Sequence, residues 1–249
     1  CCIFRRKLSL ILSVRMKGLA STLCIDIGGT GVKLIVLDPK GSEICDRQRQ
    51  ETPHPATPES ILRVIQELTS KVPEFDRIAV GFPGVVRNGM IKTAANLDTH
   101  WLGINLATQL EQRLKKPTRV ANDADVQGYG CVSGEGVEMV LTLGTGMGSA
   151  LFLDGHLVPN LELAHHLFKK KKTYEDYIGR PALEEIGKEK WVQRVKKVIS
   201  TTKHIWNWDF LHLGGGNSKL LKETELSNDV MLHSNKAGVL GGYFLWEGN

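Results

Sequence analysis

The sequence predicts an α/β fold of two lobes, each built on a strand–glycine loop–strand unit. Residues 22–27 (TLCIDI) and 32–37 (VKLIVL) read as apolar strands on either side of Gly28-Gly29-Thr30-Gly31. Residues 138–143 (EMVLTL) and the apolar SALFL flank Gly144-Thr145-Gly146-Met147-Gly148 in the same way. In both places the first glycine precedes a turn aspartate by the same interval, Gly28 to Asp38 and Gly144 to Asp154. That repetition points to an internal duplication.

The other elements complete an α/β pattern. Residues 58–71 set Ile61, Val64, Ile65 and Leu68 on one helical face, with Thr57 as N-cap and Pro58 in the first turn. RIAVGF (77–82) is a short buried strand running into the tight loop Gly81-Phe82-Pro83-Gly84. A helix over 104–116 carries Leu106, Leu110 and Leu114 and stops at Pro117. RVA (119–121) is a brief strand that delivers Asn122-Asp123. Further on, the spacing predicts one long helix over 182–199, a strand FLHL (210–213), and Gly214-Gly215-Gly216-Asn217 leading into a helix. Ala237 to Trp246 reads as a closing apolar helix. No low-complexity linker occurs, and the lobes are expected to meet near residues 124–137, giving an N-terminal lobe over 22–127 and a C-terminal lobe over 128–249.

Composition narrows the class. The 249 residues, 41% hydrophobic and 24% charged, exclude a disordered tail, a collagen and a coiled coil. Lys+Arg 32 against Asp+Glu 27 gives a formal charge of +5, a mild bias that fits a phosphorylated partner without specifying nucleic acid. Cysteines 1, 2, 24, 45 and 131 form no CxxC pair, so a reducing cytoplasm without disulfides is expected. Residues 1–21 read as a disordered or non-native extension, with Met16 the first methionine. Its Arg5-Arg6-Lys7 and LSLILSV faintly resemble a signal peptide, but the apolar run is short and is followed by Arg15 and Lys17. No stretch approaches the ~18 apolar residues of a membrane span.

The glycine loops carry the first chemical expectation. GxGxxG and Walker A loops lead from a strand into a helix whose N-terminus holds phosphate. Here each loop leads into another strand and is a hairpin tip. Glycine at a tip has a purely conformational use, because it supplies positive φ. Two equivalent loops, one flanked by Asp26, point instead to a phosphate clamp, since bare backbone N–H groups approach phosphate oxygens closely.

Asp123 is the strongest single candidate for chemistry. It follows a short strand, where open α/β sheets place ligands, and a carboxylate there can take the proton of an attacking sugar hydroxyl. A helix-capping role competes, and Asp125 competes for both. Asn96, in AANLDTHWLG, suits vicinal hydroxyls or simple loop hydrogen bonding. Glu162 and His165 are three apart, so one helical turn sets them on one face. Sugar binding, a metal pair and surface polarity all remain open there, and His166 is assigned a structural role. Lys169 to Lys172 is read as a solvated loop, which gains meaning only where a phosphate donor is itself a long polyanion.

Taken together, CIDIGGTG (24–31), GFPG (81–84), ANLDTHW (95–101), ANDAD (121–125), LTLGTGMG (141–148), LELAHH (161–166) and LGGGNSKL (213–220) resemble the ROK family of sugar kinases, within the actin-like, Hsp70-like superfamily. The segments occur in family order and span most of the chain from residue 22. The resemblance implies two RNase H-like lobes with a cleft between them. It implies that Asp123 is the general base for the 6-hydroxyl of glucose, and that Asn96, Asn122, Glu162, His165 and the backbone at Gly84 hold the sugar. Gly28, Gly29, Thr30, Lys33, Gly144, Thr145 and Gly146 would embrace donor phosphates, with Gly214, Gly215 and Gly216 where relatives place adenosine. Asp26 would orient Mg2+ through water.

Three departures refine this picture. Ala164 stands where the family's ExGH motif has glycine, no CxCGxxGC zinc cluster follows His165, and Lys33 lies farther along the first loop than the lysine of ATP-using relatives. The resemblance therefore implies no zinc and favours the branch that uses polyphosphate, with ATP as a further donor or, alternatively, as the sole one. It also implies a cytoplasmic homodimer with no nucleic-acid or membrane partner. A sugar-responsive transcription regulator needs a DNA-binding module that the 21 leading residues do not supply. A bare actin-like ATPase leaves ANDAD and ExxH unexplained.

Overall fold

A computed structural model describes residues 20–94, 97–234 and 236–247. Most of the expected N-terminal extension, residues 1–19, lies outside the described residues. The chain divides into two compact units, one running to Val126 and resuming at Val239, the other Gln127–Gly238.

The first unit contains β1 (Thr22–Ile27), β2 (Val32–Leu37), β3 (Gln48–Gln50), β4 (Arg77–Phe82), the small pair β5 (Val86–Arg87) and β6 (Met90–Ile91), and β7 (Thr118–Asn122). Its helices are α1 (Pro58–Thr69), α2 (Leu106–Leu114) and the start of α3 (Asp123–Tyr129). The sheet order is β3-β2-β1-β4-β7, with β2 antiparallel to β1 and with β4 and β7 parallel. Side chains alternate across a strand. Leu23, Ile25 and Ile27 enter a core with Ile61, Leu62, Ile65 and Leu68 of α1 and Leu106 and Leu110 of α2. Cys24 and Asp26 take the opposite parity. Thr57 caps α1 as expected, accepting from Ser60 N at 3.3 Å. The α2 helix is shorter than its expected 104–116, because Asn105 caps it and Lys115 leaves it at φ 55. Pro117 acts one residue earlier than its own position, by disfavouring helical backbone at Lys116. Trp101 is fully buried and satisfies its indole on Ala56 O at 2.9 Å.

The second unit repeats the plan. It contains β8 (Val137–Leu143), β9 (Met147–Leu153), β10 (His156–Val158), the hairpin β11 (Leu167–Lys169) and β12 (Lys172–Thr173), α4 (Tyr174–Ile178), α5 (Arg180–Ile186), α6 (Lys188–Trp206), β13 (Phe210–Gly214) and β14 (Val230–Leu232). Its sheet order, β10-β9-β8-β13-β14, reproduces the first position for position. Met139, Leu141, Leu143, Leu211 and Leu213 pack with Trp191, Val195 and Val198 of α6. The duplication read from two glycine loops thus extends to the whole topology.

Three expectations are corrected. The single helix over 182–199 is two helices, because Gly187 adopts φ 77, a conformation that ends α5 and is open to glycine. The helix expected after Asn217 is replaced by two 3-10 turns, Ser218–Leu220 and Glu223–Glu225. Leu220, Leu221 and Leu226 have no i, i+3, i+4 spacing to hold a longer helix. Lastly, α7 (Lys236–Glu247), assigned by sequence order to the C-terminal lobe, belongs to the first unit. Trp246 Nε1 donates to Ile78 O at 3.1 Å and Tyr243 OH to Pro39 O at 3.0 Å. Arg77 pairs with Glu247 at 2.9 Å, and Arg77 and Arg119 stack on Trp246. These long-range partners cannot be inferred from the helix's own apolar pattern. No helix among the described residues is long and apolar enough to cross a membrane.

One polar cluster is buried beneath β8 and β13. Glu138 is fully buried and accepts from Ser133 N (2.7 Å), Ser133 Oγ (3.0 Å), Gly134 N (2.6 Å) and His212 Nε2 (2.8 Å). His212 Nδ1 in turn meets His233 Nε2 at 2.8 Å. Burial pushes the Glu138 carboxyl up, but the hydrogen bonds from His212, Ser133 and Gly134 outweigh it and hold the carboxyl below its ordinary range. Burial, reinforced by neighbouring His212, lowers His233 from 6.5 to about 4. An unfolded chain therefore takes up a proton at this residue below 6.5, whereas the folded one refuses it down to about 4. The contribution is fully present above 6.5 and is lost as pH falls through that window, about 3 kcal/mol at most. Urea unfolding at pH values spanning the window should show this decline in wild type, and His233→Gln should flatten it; an unchanged slope in the variant would contradict the assignment.

Candidate functional site

The first unit's polar residues gather at the ends of β1, β4 and β7. The first glycine loop is closed by its own backbone, Gly28 N donating to Gly31 O at 3.0 Å. Thr52 Oγ1 donates to Gly28 O and fixes the tip to the segment after β3. Gly31 lies under Arg49, whose Nε would be 3.1 Å from an added Cβ. Thr30 is exposed at the apex. Asp26 and Lys33 are a cross-strand pair in the β1/β2 register and form an ion pair at 2.8 Å. Sequence reasoning treats them as separate ligands; the structure couples them. Both are partly exposed, so the pair is worth little to stability and is easily opened by a polyanion.

Asn122 and Asp123 stand at the carboxyl end of β7. Asn122 Oδ1 accepts from Ala124 N at 2.8 Å and Asp125 N at 3.3 Å, so it is Asn122 that caps α3. Its Nδ2 donates to Gly84 O at 3.2 Å, tying the GFPG loop to β7. Asp123 is exposed, with Oδ1 2.8 Å from Ala124 N, whereas Asp125 is buried. Of the two aspartates, Asp123 is the solvent-facing carboxylate. Gly84 has no room for a side chain, since a Cβ would sit 2.1 Å from Thr93 O. Asn96 lies outside the described residues.

In the second unit, Gly144 N donates to Gly146 O at 3.0 Å, closing a three-residue tip where the first loop has four residues. Asn217 donates from Nδ2 to Gly144 O and from its backbone N to Leu143 O, both at 2.9 Å. Gly214, Gly215 and Gly216 are therefore brought against the Gly144–Gly146 loop. Gly215 adopts φ 82, and a Cβ there would meet Leu143 O at 2.4 Å. Glu175 of α4 accepts from Met147 N at 3.0 Å and occupies the space a side chain at residue 146 would need. Thr145 is exposed.

Glu162 and His165 come together as the spacing predicts, on a 3-10 turn with His165 Nε2 3.4 Å from Glu162 Oε2. Ser149 of β9 anchors this turn by donating to Leu161 O (2.7 Å) and accepting from Leu163 N (3.3 Å). His166, expected to be structural, has an exposed side chain and contributes only its backbone, whose carbonyl accepts from Tyr174 N. Sequence reasoning missed Arg49, Glu175 and Asn217. Asn217 had a signal, an amide directly after a glycine run; the other two had none.

Among the described residues no group of three or more His, Cys, Asp or Glu side chains converges on a metal position. Mg2+ retains several waters and needs only one or two carboxylates beside substrate phosphates. A single exposed carboxylate such as Asp26 fits that mode.

Two five-stranded sheets of identical order, each carrying a glycine-tipped hairpin, define the actin-like sugar-kinase fold. The ROK family model matches residues 22–162. Polyphosphate glucokinase of Mycobacterium tuberculosis (strain CDC 1551 / Oshkosh) is 34% identical over 206 residues, 78% of this chain and 77% of the relative. That of Mycobacterium leprae (strain TN) is 32% identical over 236 residues, covering 87% and 72%. The crystal structure of inorganic polyphosphate/ATP-glucomannokinase from Arthrobacter sp. strain KM superposes with a TM-score of 0.80 at 31% identity, covering 92% of this chain and 98% of that one. The chain belongs to the ROK family.

The two crowded glycines differ in what they would meet. At Gly84 the obstacle is backbone, Thr93 O at 2.1 Å; at Gly146 it is the end of the Glu175 side chain at 2.0 Å, which can swing away. Gly84→Ala should therefore cost more stability than Gly146→Ala, about 3 against about 1 kcal/mol, by urea unfolding. The reverse order would show that the Thr93 contact is not limiting.

Proposed function

We propose that this chain is a glucokinase that transfers the terminal phosphoryl group of inorganic polyphosphate or ATP to the 6-hydroxyl of glucose. The observation that carries the reading is Asp123, an exposed carboxylate at the end of β7 beside an asparagine that performs the capping in its place. Support comes from the mycobacterial relatives named polyphosphate glucokinase and from the Arthrobacter polyphosphate/ATP-glucomannokinase.

In this reading the Asp123 carboxylate accepts the proton of the 6-hydroxyl as that oxygen bonds to the terminal phosphorus. The bond from that phosphorus to the bridging oxygen breaks, and its electron pair leaves on the shortened polyphosphate or on ADP. Asn96, Asn122, Glu162, His165 and the backbone around Gly84 fix the sugar hydroxyls, so orientation rather than covalent chemistry lowers the barrier. Backbone N–H groups at Gly29 and Thr30, with Lys33, and at Thr145 and Gly146 receive the phosphate oxygens. Gly28 and Gly144 serve by closing the two tips with their own N–H groups, and Gly214 to Gly216 receive the rest of the donor. Asp26 would hold Mg2+ through water, and the ion when bound supplies charge neutralisation at the phosphates. The same reading has the enzyme working as a cytoplasmic homodimer without zinc and without a nucleic-acid or membrane partner.

Asp123→Asn keeps shape and removes the base. A coupled assay of glucose 6-phosphate should show kcat lower by about 10²–10⁴ with either donor, while thermal unfolding stays near wild type. Turnover near wild type would overturn the assignment of the base.

A further inference from the structure

The β11/β12 hairpin presents Lys169, Lys170, Lys171 and Lys172 at its tip. Ordinary turn chemistry does not explain this. Lys170 adopts φ 57, a left-handed conformation suited to glycine or asparagine. Lys169 and Lys172 face one another across the strands, and like charges so placed weaken a hairpin. Lys172 has a carboxylate neighbour, Glu185 at 3.7 Å. Lys169, Lys170 and Lys171 are exposed and have no ion pair among the described residues. Backbone strain and self-repulsion maintained together at one exposed tip point to a ligand that offsets them.

Other contacts hold the tip in place. The Phe168 ring packs on Tyr174 at 4.5 Å and on Tyr177 at 4.9 Å. Thr173 and Asp176 form a reciprocal capping box that starts α4. That helix is fastened to the second glycine loop at two points. Glu175 accepts from Met147 N, and Arg180 N, just past the helix, donates to Thr145 O at 3.0 Å. One short helix, about 7 Å long, thus joins the lysine tip to the glycine loop. Arg180 is exposed, and its guanidinium has no partner among the described residues. The segment's two carboxylates, Glu175 and Asp176, are both engaged by backbone N–H groups.

We propose that the Lys169–Lys172 hairpin and Arg180 form a track for the distal phosphates of a linear polyphosphate whose reacting end lies at the Gly144–Gly146 loop. The inference rests on the phosphoryl-transfer reading above. ATP is too short to use such a track, whereas each added phosphate of a chain gains a cation. The partner has no bases to stack, since the hairpin's aromatic rings pack against one another and Tyr174 is buried.

The test is the triple variant Lys169→Ser, Lys170→Asn, Lys171→Ser, with the three Lys→Arg changes as the charge-preserving control. For long-chain polyphosphate, KM should rise about tenfold at nearly constant kcat, and its log–log dependence on salt should weaken by about two. KM for ATP should move less than about twofold, and the arginine variant should behave as wild type. Equal shifts for both donors, or none for polyphosphate, would overturn the track. Calorimetric binding of long-chain polyphosphate without glucose separates this from the catalytic reading. If wild type forms no glucose 6-phosphate, that reading fails, yet weaker binding by the serine variant still upholds the track and equal binding sinks it.

Discussion

Each unit depends on a hairpin whose glycine tip is closed by its own backbone. Gly28 bonds to Gly31 and Gly144 to Gly146, so the tip is pinched before any side chain acts. The pinch sets the register of β1 with β2 and of β8 with β9, and register decides which residues face the core. Leu23, Ile25 and Ile27 are buried under helices for that reason, while Asp26 and Lys33 emerge together at the tip. A slip of one residue would bury the ion pair and expose the core.

The neighbours of these tips keep them bare. Thr52 holds the first, while Glu175 and Asn217 hold the second through Met147 N and Gly144 O. Each of these polar side chains satisfies a backbone group that would otherwise relax the loop. The result is a set of fixed amide dipoles that need little reorganisation when charge arrives, the property a phosphoryl-transfer site exploits. Elsewhere buried polarity serves folding. Glu138 gathers its donors beneath the second sheet, and Trp101, Trp191 and Trp246 each find a carbonyl for the indole N–H.

Much of this was legible in the sequence because it is local. Short apolar runs bounded by turn residues marked β1, β2 and β4 to the residue, and Thr57-Pro58 marked the start of α1. The ANDAD and ELAH motifs pointed to Asp123, which is exposed at the end of β7, and to His165, which is exposed on a 3-10 turn. What was missed is non-local or conformational. Gly187 breaks a helix through its φ, which apolar spacing does not encode. The closing helix packs on the first unit because Arg77 and Arg119 stack on Trp246, contacts spanning more than a hundred residues. Glu175 supports a glycine loop 28 residues upstream in the chain, and no motif announces that. The lysine run is solvent-exposed as its composition implies, while its turn angle and cross-strand pairing are conformational and carry no sequence signal.

The central claim is that this ROK-family chain phosphorylates glucose from polyphosphate or ATP. The most direct measurement is a coupled assay of glucose 6-phosphate on the wild-type protein with Mg2+, glucose and, in parallel, polyphosphate or ATP. Glucose-dependent product with polyphosphate, at a rate at least comparable to that with ATP, is the expected result. No glucose 6-phosphate with either donor would contradict the account.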